Sequence, residues 1–524
     1  MGSLLTRSPA RRSERQVCRV LRPSTVPVSE AHEIVVVGGG VAGCFAAATA
    51  ADRGADVVQL ERKSASDAGH IACGDAMKSP TDPKKYPGPI DMSAIAADED
   101  VLIDGNIDQI EWWDEALDVK KVLPYEGHSN VVDRYELGQR LLEQTAACGV
   151  DQQFDTVVNG VLQGAQVEGV RAVRDGEPVT YTADLVIDAG GALSSVMADV
   201  DFASLDAEPE TSFEKPNYRQ FGSAYREVLT TQAPVPYDNA LVGKPLERMG
   251  YIWYFPRTAT EINVGLGFQM NKDPVTLVDR LKADLEGRPE FDGAAFDTVN
   301  GTANKLGAAL GLRRPLDSMV APGYITVGCN AGTTHPITGK GIRGAAVTGY
   351  SAGKHGAAAV HDDEDGFISE ADLWAHNHFL YVDHGLGTRT AVKDPYNIAA
   401  SHAGMENVRA LVALLPEDAI ADVVSSEGNS LGVRSAVRLA SGVVGNALAL
   451  GSDGRLERLD TTKRAVGRTL LNFVRTRRYA RKYERLYDEY PVDRDDFFEW
   501  RDARDALDDA FNDDLGIPAE QRKY

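Results

Sequence analysis

The chain has 524 residues, 43% of them hydrophobic, and a formal net charge of −23. That length exceeds what one hydrophobic core supports, so one large two-layered unit with an appended part is expected. The charge excludes a nucleic-acid binder, which needs a basic footprint, and five scattered Cys exclude a disulfide framework and fit a reducing cytoplasmic setting.

Residues 1–31 hold Arg7, Arg11, Arg12, Arg15, Arg19 and Arg22 among Ser and Pro, without an apolar core. That is not a secretory signal; a disordered arm, or a start site placed too early, is expected. Order begins at EIVVVGGGVAGCFAAATAADRGADVVQLE, residues 33–61. Ile34–Val37 reads as a buried strand, Val41–Arg53 as a helix stopped by Gly54, and Asp56–Glu61 as a second strand. Gly38, Gly40 and Gly43 fit G-x-G-x-x-G, and Glu61 lies 18 residues past Gly43. A lone glycine motif is weak, but here strand, helix, second strand and terminal acid share one βαβ unit. Gly38 permits the turn, Gly40 lets backbone approach a pyrophosphate, and Gly43 lets helix and strand pack closely. The helix start offers N–H groups to phosphates, and Glu61 can accept from a ribose hydroxyl.

Further on, VVDRYELGQRLLEQTAACGVD reads as a helix with Asp133 as N-cap and Glu136 three residues later. ADLVIDAGGALSSV is a strand entering a Gly-Gly turn, and Tyr324–Val327 is another strand before a Gly-rich loop and a small-residue helix. Between them, YIWYFPR places Tyr251, Trp253 and Phe255 on one face by alternation, with INVGLGFQM as a pairing partner. From about residue 370 the pattern is helical. No apolar run reaches the ~18 residues of a membrane span. Lys supplies only 17 of the 55 basic residues. An acidic, Lys-poor surface points to a salt-adapted protein; an ordinary acidic enzyme is the alternative.

Six stretches carry a family resemblance: VVVGGGVAG, ACGDAM, DRYELGQRL, DLVIDAGG, YIWYFPR with INVGLG, and GCNAGTTHPITGKGI. With them the chain resembles the geranylgeranyl reductase family of FAD-dependent oxidoreductases, over about residues 34 to 350. The resemblance implies an α/β fold: a Rossmann-type FAD-binding domain of aromatic-hydroxylase-like flavoprotein type, an inserted β-rich substrate domain and a helical C-terminal region. The implied boundaries are 32–200 with 321–365 for the FAD domain, 201–320 for the substrate sheet, and 366–524 for the helices. The implied activity is saturation of double bonds in geranylgeranyl chains of archaeal glycerol-ether lipids, with the acidic bias fitting a halophilic archaeon. Saturation of a menaquinone side chain, a flavin-dependent monooxygenase or halogenase, and a quinone-linked electron-transfer flavoprotein are the alternatives.

Residue by residue, the resemblance implies that Gly38, Gly40, Ala42 and Gly43 meet the FAD pyrophosphate and Glu61 the adenosine ribose. Arg134 lies near the pyrophosphate and Val158 backs the adenine. Cys73, Gly74 and Ala76 line the flavin side, with Gly74 making room for the flavin ring. Gly341 and Ile342 present N–H groups to the pyrimidine end. Cys329 stands where related flavoproteins carry an Asp that bonds the ribityl chain, so affinity is expected to lean on Asn330 or on backbone, because a thiol is a poor acceptor. Lys340 is expected to point outward. Tyr251 and Trp253 are the expected catalytic wall, plain sheet core being the other reading, and Cys73 is the candidate proton source or simply a small packing residue. Cys73 and Cys329 together suggest a redox-active disulfide if they approach within reach. His376 and His378 lack partners at ligand spacing, and no metal is expected. The implied partners are a geranylgeranyl lipid, a ferredoxin or reduced nicotinamide as electron donor, and the inner face of the membrane, touched peripherally. The Arg-rich run at 470–490 reads as a packed helix or as a contact with membrane or partner.

Overall fold

The computed structural model describes residues 28–524 apart from 79, 206–210, 232, 236–238, 270–276, 287, 292–304, 365, 426–432, 453 and 459. Most of the expected N-terminal arm, residues 1–27, lies outside the described residues. Its last four positions are not an arm: they are strand, with Val28–Ala31 paired to Val179–Thr182. Pairing satisfies their backbone on a neighbouring strand, which exposed Ser29 and Ala31 do not reveal in the sequence.

In chain order, β1 (Val28–Val37), α1 (Val41–Asp52), β2 (Val57–Leu60), β3 (Ala76–Lys78), α2 (Met92–Ala97), β4 (Leu102–Asp114), β5 (Val119–Val132) and α3 (Arg134–Ala147) come first. Next are β6 (Asp151–Gln153), β7 (Thr156–Gln163), β8 (Val167–Arg174), β9 (Glu177–Asp188) and α4 (Ser195–Asp199). The middle holds β10 (Phe221–Thr230), β11 (Ala240–Pro245), β12 (Gly250–Thr258), β13 (Glu261–Gln269), α5 (Leu277–Leu285), β14 (Leu306–Gly311), β15 (Val320–Ala321) and β16 (Tyr324–Thr326). Helices follow: α6 (Ile342–Asp362), α7 (Glu370–His378), α8 (Leu386–Ala391), α9 (Asp394–Ala403), α10 (Met405–Leu414), α11 (Glu417–Val424), α12 (Val433–Ser452), α13 (Lys463–Asp488) and α14 (Phe497–Leu515).

The first sheet runs β15-β16-β9-β1-β2-β6, with β8 on β9 and β7 on β8. Strands β16, β9, β1, β2 and β6 are parallel. Ile34–Val37 and Val57–Leu60 are buried throughout, as a parallel sheet covered on both faces requires. This is the Rossmann-type α/β layer expected from the sequence.

The second sheet runs β14-β10-β13-β12-β11-β4-β5-β3 and is antiparallel except where β11 meets β4. It is therefore not confined to 201–320: β3, β4 and β5 come from residues 76–132. The β4–β11 pairing joins stretches more than a hundred residues apart, and no local pattern records such a contact. β12 and β13 pair as the alternation suggested.

The helical end packs onto the first sheet's core. Tyr479, Tyr483 and Tyr487 of α13 join Trp500 and Phe511 of α14 in the same buried cluster as β1 and β9. Arg314 meets Asp508 through both terminal nitrogens, at 2.8 and 2.7 Å. One face of the Arg-rich run at 470–490 is accordingly packed, through Tyr479, Tyr483 and Tyr487.

Candidate functional site: one cavity from the glycine turn to the helical end

At the end of β1 the chain turns at Gly38, whose φ of +110° disfavours any side chain. A Cβ at Gly43 would sit 1.9 Å from the Gly38 carbonyl oxygen, so this glycine lets α1 lie against the strand. Gly40 is different: a Cβ there would meet nothing closer than Ile71 at 4.0 Å. Its open side faces a cavity of about 1220 Å³. Glu61, just past β2, accepts the Gly39 N–H at 2.7 Å and the Lys63 N–H at 2.9 Å. Those two bonds fix its carboxylate at the cavity edge, beside the glycine turn.

Two helices start at this cavity without a side-chain cap. The N-cap of α1 is Gly40 and that of α6 is Gly341. Asp133 caps α3, Ser194 caps α4 and Ser369 caps α7, whereas α8, α9, α10, α11 and α14 also start without a side-chain cap. Uncapped N–H groups with the positive end of a helix dipole behind them are donors prepared for an anion. Gly341 and Ile342 both line the cavity, as do Val41 and Ala42. The two starts are held together rigidly. A Cβ at Gly349 or Gly353 of α6 would fall 2.2 or 2.3 Å from the carbonyls of Ala42 and Ala46, so only glycine allows α6 to approach α1 so closely.

Arg134 opens α3 and is 4% exposed. The residue lines the same cavity, and its buried Nη1 has no hydrogen-bond partner among the described residues. An unsatisfied buried guanidinium nitrogen is costly, so a ligand oxygen is the natural complement. Val158 of β7 lies in the wall, and its carbonyl is already taken by the Ser195 hydroxyl at 2.9 Å. These residues fit FAD: the α1 start and a spare cation for a diphosphate, the α6 start for the flavin's pyrimidine end, an acid for a ribose, and an apolar wall for adenine.

The stretch around Cys73 is organised by residues that sequence reasoning passed over. Asp75 is fully buried, with a left-handed φ of 65°. Arg257 Nη1 and Asn263 Nδ2 both donate to Asp75 Oδ2 at 2.7 Å. Asn263 Nδ2 also donates to the Cys73 carbonyl at 2.9 Å, and Asn263 Oδ1 accepts from the Trp253 indole at 2.9 Å. Arg257 continues to Asp133 at 2.9 Å. This buried network ties the Cys73 loop to β12, β13 and the start of α3. Its only sequence signals are that Asp75 ends CGD and Arg257 ends YIWYFPR; nothing local says that they meet. The Cys73 sulfur accepts the Asp75 N–H at 3.3 Å. Desolvation and then the Asp75 charge push this thiol up from 9.0, against Arg134 and Arg226, so it stays protonated at neutral pH.

Several expectations change here. A Cβ at Gly74 would meet the Phe255 ring at 2.6 Å, so Gly74 makes room for Phe255 and not for a flavin. Asn330 does not line the cavity: it is 2% exposed, and its Nδ2 donates to Asp188 at 2.7 Å in the core. Cys329 does line the cavity, but its sulfur accepts the Gly311 N–H at 3.2 Å and faces the Thr334 hydroxyl at 3.5 Å. Both Cys73 and Cys329 are free thiols, each with its own hydrogen-bond donors. Lys340 is half-buried in the cavity wall. His376 is a core residue, with Nδ1 2.9 Å from the Ser351 hydroxyl and burial holding its pKa near about 3.

Tyr251, Trp253 and Phe255 line the cavity as a continuous face, with neighbouring ring centroids 6.1 and 6.3 Å apart. Tyr251 donates to the Thr338 carbonyl at 2.7 Å, bracing the loop before Gly341. Beyond them the cavity continues as an apolar arm between the second sheet and the C-terminal helices. Leu241, Phe268 and Leu310 line one side, and Leu411, Leu415 and Phe473 the other.

A family model described as alanine dehydrogenase/PNT, C-terminal domain, matches residues 10–86, which include the first βαβ unit. A digeranylgeranylglycerophospholipid reductase from Methanothrix thermoacetophila is 30% identical over 344 residues, covering 64% of this chain and 80% of that protein. The protein of the same name from Sulfolobus acidocaldarius is 26% identical over 360 residues, 67% of this chain and 74% of the relative. Among solved structures, a geranylgeranyl bacteriochlorophyll reductase-like protein from Thermoplasma acidophilum superposes with a TM-score of 0.59 at 19% identity, covering 80% of this chain and all of the other. That likeness shows the shared fold. With the sequence match to the reductases, this chain belongs to the digeranylgeranylglycerophospholipid reductase family.

Proposed function

We infer that this protein is an FAD-dependent reductase that saturates carbon–carbon double bonds in geranylgeranyl chains of archaeal glycerol-ether lipids. The observation that carries the reading is one continuous cavity joining the glycine turn at Gly40 to an apolar arm that ends among α9 and α13. An anion-binding end and a long greasy end in one space suit a dinucleotide beside a polyprenyl chain. A menaquinone reductase, a monooxygenase or halogenase, and a quinone-linked flavoprotein are not favoured by the relatives.

When bound, FAD supplies the hydride. The start of α1 and the Arg134 guanidinium would hold its diphosphate, Glu61 would accept from the ribose, and Val158 would back the adenine. The N–H groups of Gly341 and Ile342 would donate to the flavin's pyrimidine end, which carries negative charge when reduced. Cys329 offers the ribityl chain only a weak sulfur acceptor.

Saturating an alkene adds a hydride to one carbon and a proton to the other. Trp253 and Tyr251 present ring faces to positive charge that develops on carbon, and they exclude water. The Cys73 S–H delivers the proton, and the resulting thiolate is reprotonated by solvent. Its raised pKa suits a donor that must remain protonated between turnovers.

The lipid has to be drawn from a membrane. No helix among the described residues is long and apolar enough to cross one. The proposed contact is peripheral, on the cytoplasmic face. It is supported by Val444 and Leu448 on α12 and Leu471 on α13, which are 59%, 71% and 51% exposed, near the helices that line the arm. The electron donor is a ferredoxin or a transiently bound reduced nicotinamide.

The test is anaerobic incubation of dithionite-reduced enzyme with a geranylgeranyl ether lipid, read by mass spectrometry. Gains in steps of two hydrogens are expected, and an unchanged lipid mass overturns the reading.

A further inference from the structure

The arm is apolar along most of its length, yet two buried hydroxyls near its end are unsatisfied. Tyr396, on α9, is 5% exposed, and Thr476, on α13, is fully buried. Both line the cavity, and neither hydroxyl has a hydrogen-bond partner among the described residues. Buried polar groups are normally paired, and each exception calls for a reason.

Thr49 of α1 also has an unmet buried hydroxyl, but of the two only Thr476 lines the cavity. A helical threonine that lacks an outside partner usually folds its hydroxyl back onto the carbonyl four residues earlier. Thr469 does so to Ala465 at 3.0 Å, Thr145 to Leu141 at 2.7 Å and Thr348 to Gly344 at 2.7 Å. Thr476 leaves that bond unmade. Tyr396 is fixed by its ring, which packs against Phe473 at 5.8 Å between centroids, on the same helix as Thr476. The neighbours Leu415, Ile420 and Phe473 have no polar side-chain atoms to offer.

We propose that Tyr396 and Thr476 form a polar subsite in the apolar arm that takes an uncharged oxygen of the lipid, an ether or hydroxyl oxygen of its glycerol unit. The proposal rests on the lipid-reductase reading and locates the polar end of that substrate. An uncharged ligand follows from the surroundings. Lys393 is buried, but its ammonium is committed to the Asp422 carbonyl at 2.7 Å. The charges acting on Tyr396 are of both signs, Asp422 and Glu484 against Arg477 and Arg481, and burial keeps it a neutral phenol able to donate. Among the described residues a phosphate would find no uncommitted cation here. A hydrocarbon tail would leave both hydroxyls unmet.

The experiment uses the FAD-loaded enzyme and equilibrium binding, read as quenching of tryptophan fluorescence, since Trp112 and Trp253 line the same cavity. Two probes are compared: digeranylgeranylglycerol diether, and the corresponding twenty-carbon tetraene without oxygen. Tyr396→Phe is expected to weaken diether binding about tenfold, or about 1.4 kcal/mol, and to leave tetraene binding within about twofold on the same scale. Thr476→Val is expected to show the same selectivity with a smaller loss, and it serves if Tyr396→Phe fails to fold. Equal weakening of both probes would make the residues structural. No weakening of either would mean that the hydroxyls hold only water. A wild type that binds neither probe also overturns the subsite. A wild type that binds the diether with the expected selectivity but never reduces it overturns the reductase reading and leaves the subsite standing.

Discussion

Arg257 Nη1 donates to Asp75 Oδ2 across 2.7 Å inside the protein, where Arg257 is 6% exposed and Asp75 fully buried. This contact joins the loop that carries Cys73 to the strand that carries the aromatic wall. The two halves of the proposed chemistry are thus held by one ion pair.

Asp75→Asn keeps the shape and removes the charge. Breaking a buried pair from one side costs about 3–5 kcal/mol, and the low end, about 3 kcal/mol, is expected because Arg257 retains Asp133 and Glu261. Denaturant titration reads the loss. The same change removes a charge that raises the Cys73 pKa, so alkylation of Cys73 by iodoacetamide at fixed pH should accelerate. An unchanged alkylation rate in a folded variant would detach Asp75 from Cys73.

Cys73→Ala removes the proposed proton donor and little volume. General acid catalysis contributes about 10²–10⁴-fold, so turnover should fall by at least about 100-fold. FAD content and KM should hold. In the wild type the rate should stay level through neutral pH and decline only above the ordinary thiol range, because the folded pKa is raised and the donor is lost as pH rises through it. Stopped-flow oxidation of the reduced enzyme by lipid, across pH, measures both effects.

Arg134→Met keeps the bulk of the side chain and removes its unpartnered nitrogen. A hydrogen bond to a charged group is worth about 1.5–3 kcal/mol, so FAD should bind about 10–100-fold more weakly. Flavin retained after gel filtration, and a titration of the apoprotein, give the value. Full retention would place the diphosphate elsewhere.

His376 carries a stability prediction. It is neutral in the fold down to about pH 3 but takes a proton near 6.5 when unfolded. Between those values the unfolded state binds more protons, so stability is lost as pH falls below about 6.5. His376→Asn should give a shallower fall between about pH 6.5 and 4, by about one proton in the linkage slope. Denaturation midpoints over that range check the sign.

Membrane contact is open to a salt series. An anionic protein meets anionic lipid with repulsion that salt screens, so flotation with anionic vesicles should rise with salt concentration. Leu448→Glu should reduce flotation at every salt concentration. No binding by the wild type at any salt would remove the peripheral contact from the proposal.

Much of the dinucleotide end was legible in the chain. Gly38, Gly40, Gly43 and Glu61 act through turns and spacings within one βαβ unit, and such local constraints are written in neighbouring residues. So is the alternation that puts Tyr251, Trp253 and Phe255 on one face. The sheet partners were not legible in the same way. β3–β5 join a sheet whose other strands begin at residue 221, and sequence distance hides that pairing.

By itself, the sequence determined a Rossmann-type half, an anion-ready glycine turn, an aromatic strand and a family. Each of these depends on residues close together in the chain. Only the tertiary structure decided what stands beside what. It gave Gly74 to Phe255, Asn330 to Asp188 and Asp75 to Arg257, and it left Tyr396 and Thr476 facing an empty-handed stretch of apolar wall. Those assignments follow from which buried polar group finds which partner, and that is settled by packing across the whole fold.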